Sequence, residues 1–348
     1  MGFIRKKIGI FRYKNDSTFV KICSLLPFGE VIYYSIFNKS FLREMKSVFR
    51  GKIEYLRALS SEGGGNGLLR RNIHRIEKGL SMKNRRATFA TDYIEETVNA
   101  FCSYSSVLSE KQRMLPSTEY AWFRDVLAKY FETSGDDARI ERAKGSFLAQ
   151  SADEEMTDCV PFLRDLATPL NCSYDSLMQL AVRRRSVRWF LDKQVPRDLV
   201  EKAIEVGLYS ASACNRQPFS FRIFDDPKRA AKIAQLAMGT TGYNDQIPCI
   251  IVVLGHLDAY FAERDRHLIY IDSSLAVTPM MMACETLGLS TCAINWPDIE
   301  ARETLMQAEL NLSSWERPIM LLAVGYPDPE VKVPRSVKKE IKDIVKWV

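Results

Sequence analysis

SASACNRQPF, residues 210–219, joins a helical pattern to a strand pattern. Residues 196–209 before it have apolar side chains at helical spacing and begin with a proline, which favours the first turn of a helix. Residues 219–224 after it are typical of a strand. The small side chains of the loop allow a flat ligand to approach closely, and Asn215 and Gln217 offer paired donors and acceptors. An ordinary helix–strand loop is the alternative interpretation.

On both sides of this loop, helical and strand patterns alternate. Further helices are predicted at residues 175–182, 227–238 and 272–287, and strands at residues 247–254, 290–294 and 319–324. Such alternation predicts an α/β or α+β unit built around one sheet.

Residues 1–170 show helical patterns and an uneven charge. Residues 1–90 contain 19 Lys or Arg against 6 Asp or Glu. A segment this basic could bind an anionic membrane surface, a nucleic acid or an acidic partner, although a solvated helical surface is the ordinary interpretation. Because no nucleic-acid-binding motif accompanies the charge, we expect no nucleic-acid partner.

Two segments interrupt the helical pattern. The glycine run at residues 60–67 predicts a flexible linker or hinge. The acidic stretch at residues 151–158, followed by two prolines, predicts a connection between units. We therefore expect a helical region at 1–170, a second domain at 174–340 and a C-terminal tail at 341–348.

The eight cysteines and three histidines are dispersed along the chain. Zinc sites and redox motifs need clustered ligands, so no metal is expected, and free thiols favour a reducing cytoplasm. The most apolar N-terminal stretch, residues 22–37, is interrupted by polar and helix-breaking residues and is too short for a bilayer. We therefore expect neither a signal peptide nor a membrane span.

Three further signals lie in the second domain. RRRSVR at residues 183–188 groups guanidinium donors that suit a phosphate, although an arginine-rich surface turn would also explain it. GLSTCAINWP at residues 288–297 is a short strand with a polar turn. VGYP at residues 324–327 is followed by Lys332 and Arg335.

Taken together, in this order and spacing, the four stretches resemble the nitroreductase family of FMN enzymes. The resemblance covers about half the chain and leaves residues 1–170 unexplained. It implies an α+β (α/β sandwich) fold in which helices flank a central mixed sheet, and a homodimer with the flavin at the interface. An all-helical region would precede this domain.

The resemblance also assigns residues to the cofactor. Residues of RRRSVR would hold the FMN phosphate, ribityl chain and pyrimidine edge. Residues of the 210–219 loop would contact the flavin from the neighbouring subunit. Asn295 and Trp296 would lie near the flavin N5. The full implied set is Arg184, Arg185, Ser186, Arg188, Ser212, Asn215, Gln217, Asn244, Asn295 and Arg335.

Two positions depart from the family pattern. Ala211 stands where the family usually has proline, which is a mild change. Trp296 stands where a small residue is usual, so its indole could narrow the substrate pocket or stack on the flavin.

The implied function is an FMN-dependent oxidoreductase that passes electrons from NAD(P)H to a small conjugated acceptor, such as a nitroaromatic or quinone, in a ping-pong cycle. NAD(P)H would bind transiently, since the dinucleotide fingerprint G-x-G-x-x-G is absent from the sequence. A flavin-binding or degenerate scaffold that recruits a partner through the basic helical region is the alternative.

Overall fold

The computed structural model describes residues 18–60, 67–110, 118–151 and 156–348. Its first part contains α1 (18–23), α2 (Gly29–Ile32), a π-helical turn (Tyr33–Phe37), α3 (Leu42–Ser60), α4 (Gly67–Leu80), α5 (Ile94–Glu110), α6 (Thr118–Thr133) and α7 (Ala138–Ser151). Residues 61–66 of the predicted hinge and residues 152–155 of the predicted acidic connection lie outside the described residues.

The second part contains both helices and strands. The helices are α8 (Tyr174–Arg183), α9 (Arg197–Leu208), α10 (Pro227–Leu236), α11 (Leu268–Thr286), α12 (Glu300–Leu310) and α13 (Ile341–Ile344). The strands are β1 (Phe219–Phe224), β2 (Cys249–His256), β3 (Ser290–Asn295) and β4 (Glu316–Gly325).

The four strands form one sheet in the order β1-β2-β4-β3. All three strand pairs are antiparallel, and the parallel contribution within the described residues is the single bridge between Ser186 and Thr291. The predicted α+β fold is therefore confirmed, with a sheet that is more uniformly antiparallel than the predicted mixed one.

Helices cover both faces of this sheet. Ile250 and Val252 of β2 point into a core with residues of α10 and α12, whereas Ile251 and Val253 point into a core with α9 and α11. Successive strand residues face opposite sides, so a strand buried on both faces is apolar throughout. The packing of α9 on α11 is close: a Cβ at Gly207 would lie 2.9 Å from the Ala276 carbonyl oxygen.

The N-terminal helices divide between two cores. Helices α4 to α7 enclose their own apolar cluster, which includes Ile73, Phe101 and Phe123. Helix α3 instead packs on the second part of the chain, where a Cβ at Gly51 would lie 2.7 Å from the backbone of Leu257. Among the described ranges, no helix combines the length and the apolar character that a bilayer crossing requires.

A buried carboxylate attaches the connecting segment to the helical cluster. Asp125 on α6 accepts hydrogen bonds from Arg124, from the Thr157 amide and hydroxyl, and from the Cys159 amide. Burial opposes its ionisation, but the hydrogen bonds outweigh this and lower the pKa of Asp125. Residues 157–159 are therefore held against α6.

Candidate functional site

The arginine segment, residues 183–188, lies beside β3, which is an edge strand of the sheet. The Val187 amide donates to the Thr291 carbonyl on β3 at 3.0 Å. The side chains of Val187 and Phe190 are buried in the core, whereas Arg184, Arg185 and Arg188 are half-buried. This pattern fixes the segment along β3 and leaves three guanidinium groups at the surface of the sheet edge.

These three cations have no carboxylate partner within the part of the chain that the structure describes. Arg185 donates to the Arg184 carbonyl at 3.2 Å, and Arg188 donates to the Ser186 carbonyl at 3.3 Å. The preceding Arg183 differs, since it lies 3.6 Å from Glu285. Half-buried like charges repel one another unless an anion joins them, so the segment is chemically suited to an anionic ligand.

Residues from two neighbouring elements join this segment. The Arg188 guanidinium lies 6.0 Å from the centre of the Tyr243 ring. Burial raises the pKa of the Cys292 thiol on β3, and the nearby Arg188 and Arg184 oppose that shift. Next to Cys292, the buried Thr291 hydroxyl has no hydrogen-bond partner among the described residues.

The chain after β4 closes over the arginine segment. A cavity of about 190 Å³ is lined by residues 186–189 and 331–334, among them Ser186, Arg188 and Lys332. Arg335 follows directly in the chain. The cavity is smaller than the roughly 300–1,000 Å³ of pockets for drug-sized ligands, so it has room for an oxyanion group and not for a whole cofactor.

The two predicted asparagines near this segment differ in their surroundings. Asn244 follows Tyr243 and donates to the neighbouring Asp245 carboxylate at 2.7 Å. Asn295 is exposed at the end of β3, on the same face as the exposed Ala293. That open part of the strand is accessible to a ligand on the sheet edge.

The loop at residues 212–217 is held by a buried carboxylate. Asp272 on α11, which is 2% exposed, accepts from the Ser212 hydroxyl at 2.9 Å and the Ala213 amide at 3.0 Å. The Ser212 hydroxyl in turn accepts from the Gln217 amide at 2.8 Å. The role of Asp272 is not predictable from the sequence, because no local motif surrounds this residue.

The same loop contains three non-glycine residues with left-handed backbone conformations. Cys214, Asn215 and Gln217 have φ values of 54°, 49° and 49°. Such conformations are unfavourable for residues with a Cβ and persist where surrounding contacts impose them. They turn the loop back on itself ahead of β1.

One of those contacts comes from the N-terminal helices. Arg70 on α4 donates to the Asn215 carbonyl at 2.7 Å and to the Gln217 side-chain oxygen at 3.0 Å. Arg70 also pairs with Glu119 on α6 and stacks on Trp122. The helical region therefore touches a predicted cofactor loop, a contact that no sequence signal announced.

The predicted residues form two groups in one chain. Arg184, Ser186 and Arg188 lie along β3, whereas Ser212 and Gln217 precede β1 at the opposite edge of the sheet. Three strand spacings of about 4.8 Å separate these edges. No hydrogen bond or ion pair among the described residues joins the two groups, so they are separate within a single chain.

Trp296 points away from the exposed strand edge. Its indole is 7% exposed within the core beneath α12, and its Nε1 donates to Glu303 at 2.9 Å. Glu303 also accepts from the buried Arg317 at 3.1 Å. This indole occupies the core rather than the open face beside Asn295. Among the described residues, no group of His, Cys, Asp and Glu could hold a metal ion.

Comparison with known proteins identifies the second part of the chain. The model of the nitroreductase family matches residues 181–246 and 243–326. The C-terminal half of the chain is a nitroreductase-family domain. The match contains the arginine segment, the 212–217 loop and all four strands, so the resemblance noted from the sequence is confirmed. This family is a class of flavin oxidoreductases.

The similar curated proteins are iodotyrosine deiodinases. Iodotyrosine deiodinase 1 of Pongo abelii is 24% identical over 198 residues, which are 49% of this chain and 68% of that protein. Iodotyrosine deiodinase of Haliscomenobacter hydrossis is 24% identical over 47% of this chain and 84% of its own. The Danio rerio protein is 22% identical over 68% of this chain and 88% of its own.

Solved structures are similar to about half of the chain. An FMN-dependent nitroreductase from Clostridium difficile is 20% identical and covers 48% of this chain and 94% of its own, with a TM-score of 0.40. A nitroreductase family protein from Streptococcus pneumoniae is 20% identical, covers 49% of this chain and all of its own, and has a TM-score of 0.43.

Proposed function

We propose that this chain is an FMN-dependent oxidoreductase whose FMN phosphate binds at the arginine segment. One observation carries the proposal: Arg184, Arg185 and Arg188 lie within five residues of the chain, each is half-buried, and none has a carboxylate partner among the described residues. Arginine pairs with phosphate through parallel N–H donors, so a phosphate would neutralise this cluster.

The surrounding residues fit the same group. Ser186 and Lys332 line the cavity beside Arg188 and would add a hydroxyl donor and a further cation. Arg335 is proposed as a further phosphate-binding cation. When bound, FMN supplies the electron-accepting and electron-donating chemistry, and the protein supplies orientation and electrostatics.

A second copy of the chain would complete the site. The two groups of predicted residues lie at opposite edges of one sheet and would form two half-sites. Ser212, Asn215 and Gln217 would then reach the flavin held by the arginine segment of the second copy. Helix α8 presents Tyr174, Leu177 and other apolar side chains to solvent and buries none of its residues. An apolar helix face of this kind suits a homodimer interface.

The proposed electron donor is NAD(P)H, and the proposed acceptor is a small conjugated compound. Asn244 and Asn295 would contact the flavin ring. The names of the similar curated proteins add a halogenated tyrosine to the acceptors that deserve assay, beside nitroaromatics and quinones.

The first test is the visible absorption spectrum of the purified protein, recorded before and after anaerobic addition of NADH or NADPH. Flavin absorption that bleaches with the nucleotide and returns with a quinone, a nitroaromatic or iodotyrosine is the expected result. A colourless protein that cannot be reconstituted with FMN would overturn the proposal and favour the scaffold interpretation.

Matched variants locate the phosphate. Arg188→Gln removes a half-buried guanidinium without a carboxylate partner, and Arg183→Gln removes the exposed neighbour that already pairs with Glu285. A charged hydrogen-bond pair contributes about 1.5–3 kcal/mol, so Arg188→Gln should weaken FMN binding roughly 10- to 150-fold. Equal FMN affinity in the two variants would place the phosphate elsewhere.

A further inference from the structure

The N-terminal helices expose an unusual amount of apolar surface. Fifteen large hydrophobic side chains between Phe19 and Leu56 are exposed, including Leu25 at 85% and Phe28 at 76% in the turn between α1 and α2. Isolated exposed apolar residues are ordinary in proteins, but a contiguous patch marks a surface that contacts a lipid or another protein.

On helix α3, the exposed apolar side chains lie along one side. Leu42, Met45, Phe49 and Leu56 recur at spacings of three, four and seven residues, which place them on one helical face, and all four are exposed. The opposite face of α3 carries Gly51, which is packed against Leu257. Helix α3 is therefore apolar on both sides: the inner side packs on Leu257, and the apolar residues of the outer side are exposed.

Basic side chains border the exposed stripe. Seven Lys or Arg and three Asp or Glu lie between residues 18 and 57. Arg43, Lys52 and Arg57 pair with carboxylates, whereas Lys46 and Arg50 are exposed and form no ion pair within the described residues. Residues 1–17, which are outside the described residues, add five basic residues and one acidic residue in sequence.

We propose that residues 18–57, the N-terminal face, bind a lipid surface that carries anionic headgroups. A helix with an apolar stripe bordered by Lys and Arg lies in the plane of a membrane interface, with its apolar residues among the acyl chains and its cations at the headgroups. Two copies of this basic face would repel each other, so the charge favours an anionic partner over self-association.

The test is cosedimentation of the full chain with lipid vesicles. Vesicles of phosphatidylcholine alone are compared with vesicles that contain about 30% phosphatidylglycerol, a typical anionic lipid probe. The expected result is binding to the anionic vesicles that weakens at higher ionic strength. Absence of binding, or equal binding to both vesicle types, would overturn the proposal.

Variants locate the contact. Leu25→Glu and Phe49→Glu should each weaken binding at least about tenfold, because each loses a large apolar contact and adds a repelled charge. The matched control is Leu148→Glu on α7, where a leucine is exposed to the same degree as Leu56 and binding should persist. Equal loss in the control, or no loss in the first two variants, would refute the assignment of this face.

Charge variants give a readout that does not depend on the apolar substitutions. Lys46→Gln and Arg50→Gln alter exposed side chains and should each weaken anionic-vesicle binding about fivefold. Unchanged binding in these variants would overturn the electrostatic part of the proposal. A dimer that Phe49→Glu dissociates, without any vesicle binding, would instead identify the face as a contact between copies.

Discussion

Arg70→Ala should open the 212–217 loop without unfolding the domain. The guanidinium donates to the Asn215 carbonyl at 2.7 Å and to Gln217 at 3.0 Å, and its side chain is 12% exposed, so solvent screens it little. A hydrogen bond from a charged donor contributes about 1.5–3 kcal/mol. Because the two bonds share one side chain, we take about 3 kcal/mol for their joint loss.

That energy has a measurable consequence in hydrogen exchange. About 3 kcal/mol corresponds to roughly a 100-fold larger opening constant for the loop. The Asn215 amide donates to the Ser212 carbonyl and the Gln217 amide to the Ser212 hydroxyl, so both amides report on this opening. Their exchange rates should rise by about that factor, while amides in β2 should keep their protection.

Two variants on the same helix sharpen the interpretation. Arg70→Lys keeps the charge but cannot span both acceptors, so its effect should be intermediate. Arg75→Ala removes another guanidinium of α4, which stacks on Tyr93 at 3.7 Å and does not touch the loop. Unchanged loop exchange in Arg70→Ala, or the same increase in Arg75→Ala, would refute the idea that Arg70 holds the loop.

Three other substitutions test the packing and the site. Gly207→Ala should lower the unfolding free energy by about 1–3 kcal/mol in urea, because its Cβ would press on the Ala276 carbonyl; an unchanged value would contradict the close helix contact. Trp296→Phe should cost about 1–2 kcal/mol through the lost bond to Glu303, with FMN affinity and acceptor kinetics unchanged; altered acceptor selectivity would place the indole at the pocket. Asp125→Asn should cost about 3 kcal/mol at neutral pH. The folded-state pKa of Asp125 is lowered, so the stabilisation by its carboxylate is present above a pH of about 3.9 and is lost as the pH falls through the folded-state pKa. A difference in urea unfolding between the two proteins that persists undiminished in acid would contradict this account.

Local sequence patterns predicted the parts of the fold that depend on local chemistry. Strand β1 has the predicted bounds, since a strand pattern is a property of the segment alone. The predicted strand at 247–254 begins later, at Cys249, since Pro248 has no amide to donate to the ladder. Helix α11 begins four residues earlier than predicted, since Ile269 is buried in the sheet core.

The remaining site residues depend on contacts between distant parts of the chain. Asp272 lies 60 residues from Ser212, and Arg70 lies 145 residues from Asn215, so neither pattern is visible in a local window. The indole of Trp296 also takes its direction from a distant partner on α12. Short motifs predict which residues would bind a cofactor, but they do not show which residues hold those motifs in place.

The two roles proposed for the N-terminal helices use different helices. Helix α4 carries Arg70 to the 212–217 loop, whereas α3 packs its inner side on Leu257 and carries Phe49 on its outer side. We therefore expect Phe49→Glu to weaken vesicle binding at least about tenfold while FMN affinity is unchanged, and Arg70→Ala to weaken FMN binding while vesicle binding is unchanged. If either variant altered both affinities to a similar degree, the two helices would not act independently, and the division of roles between them would be wrong.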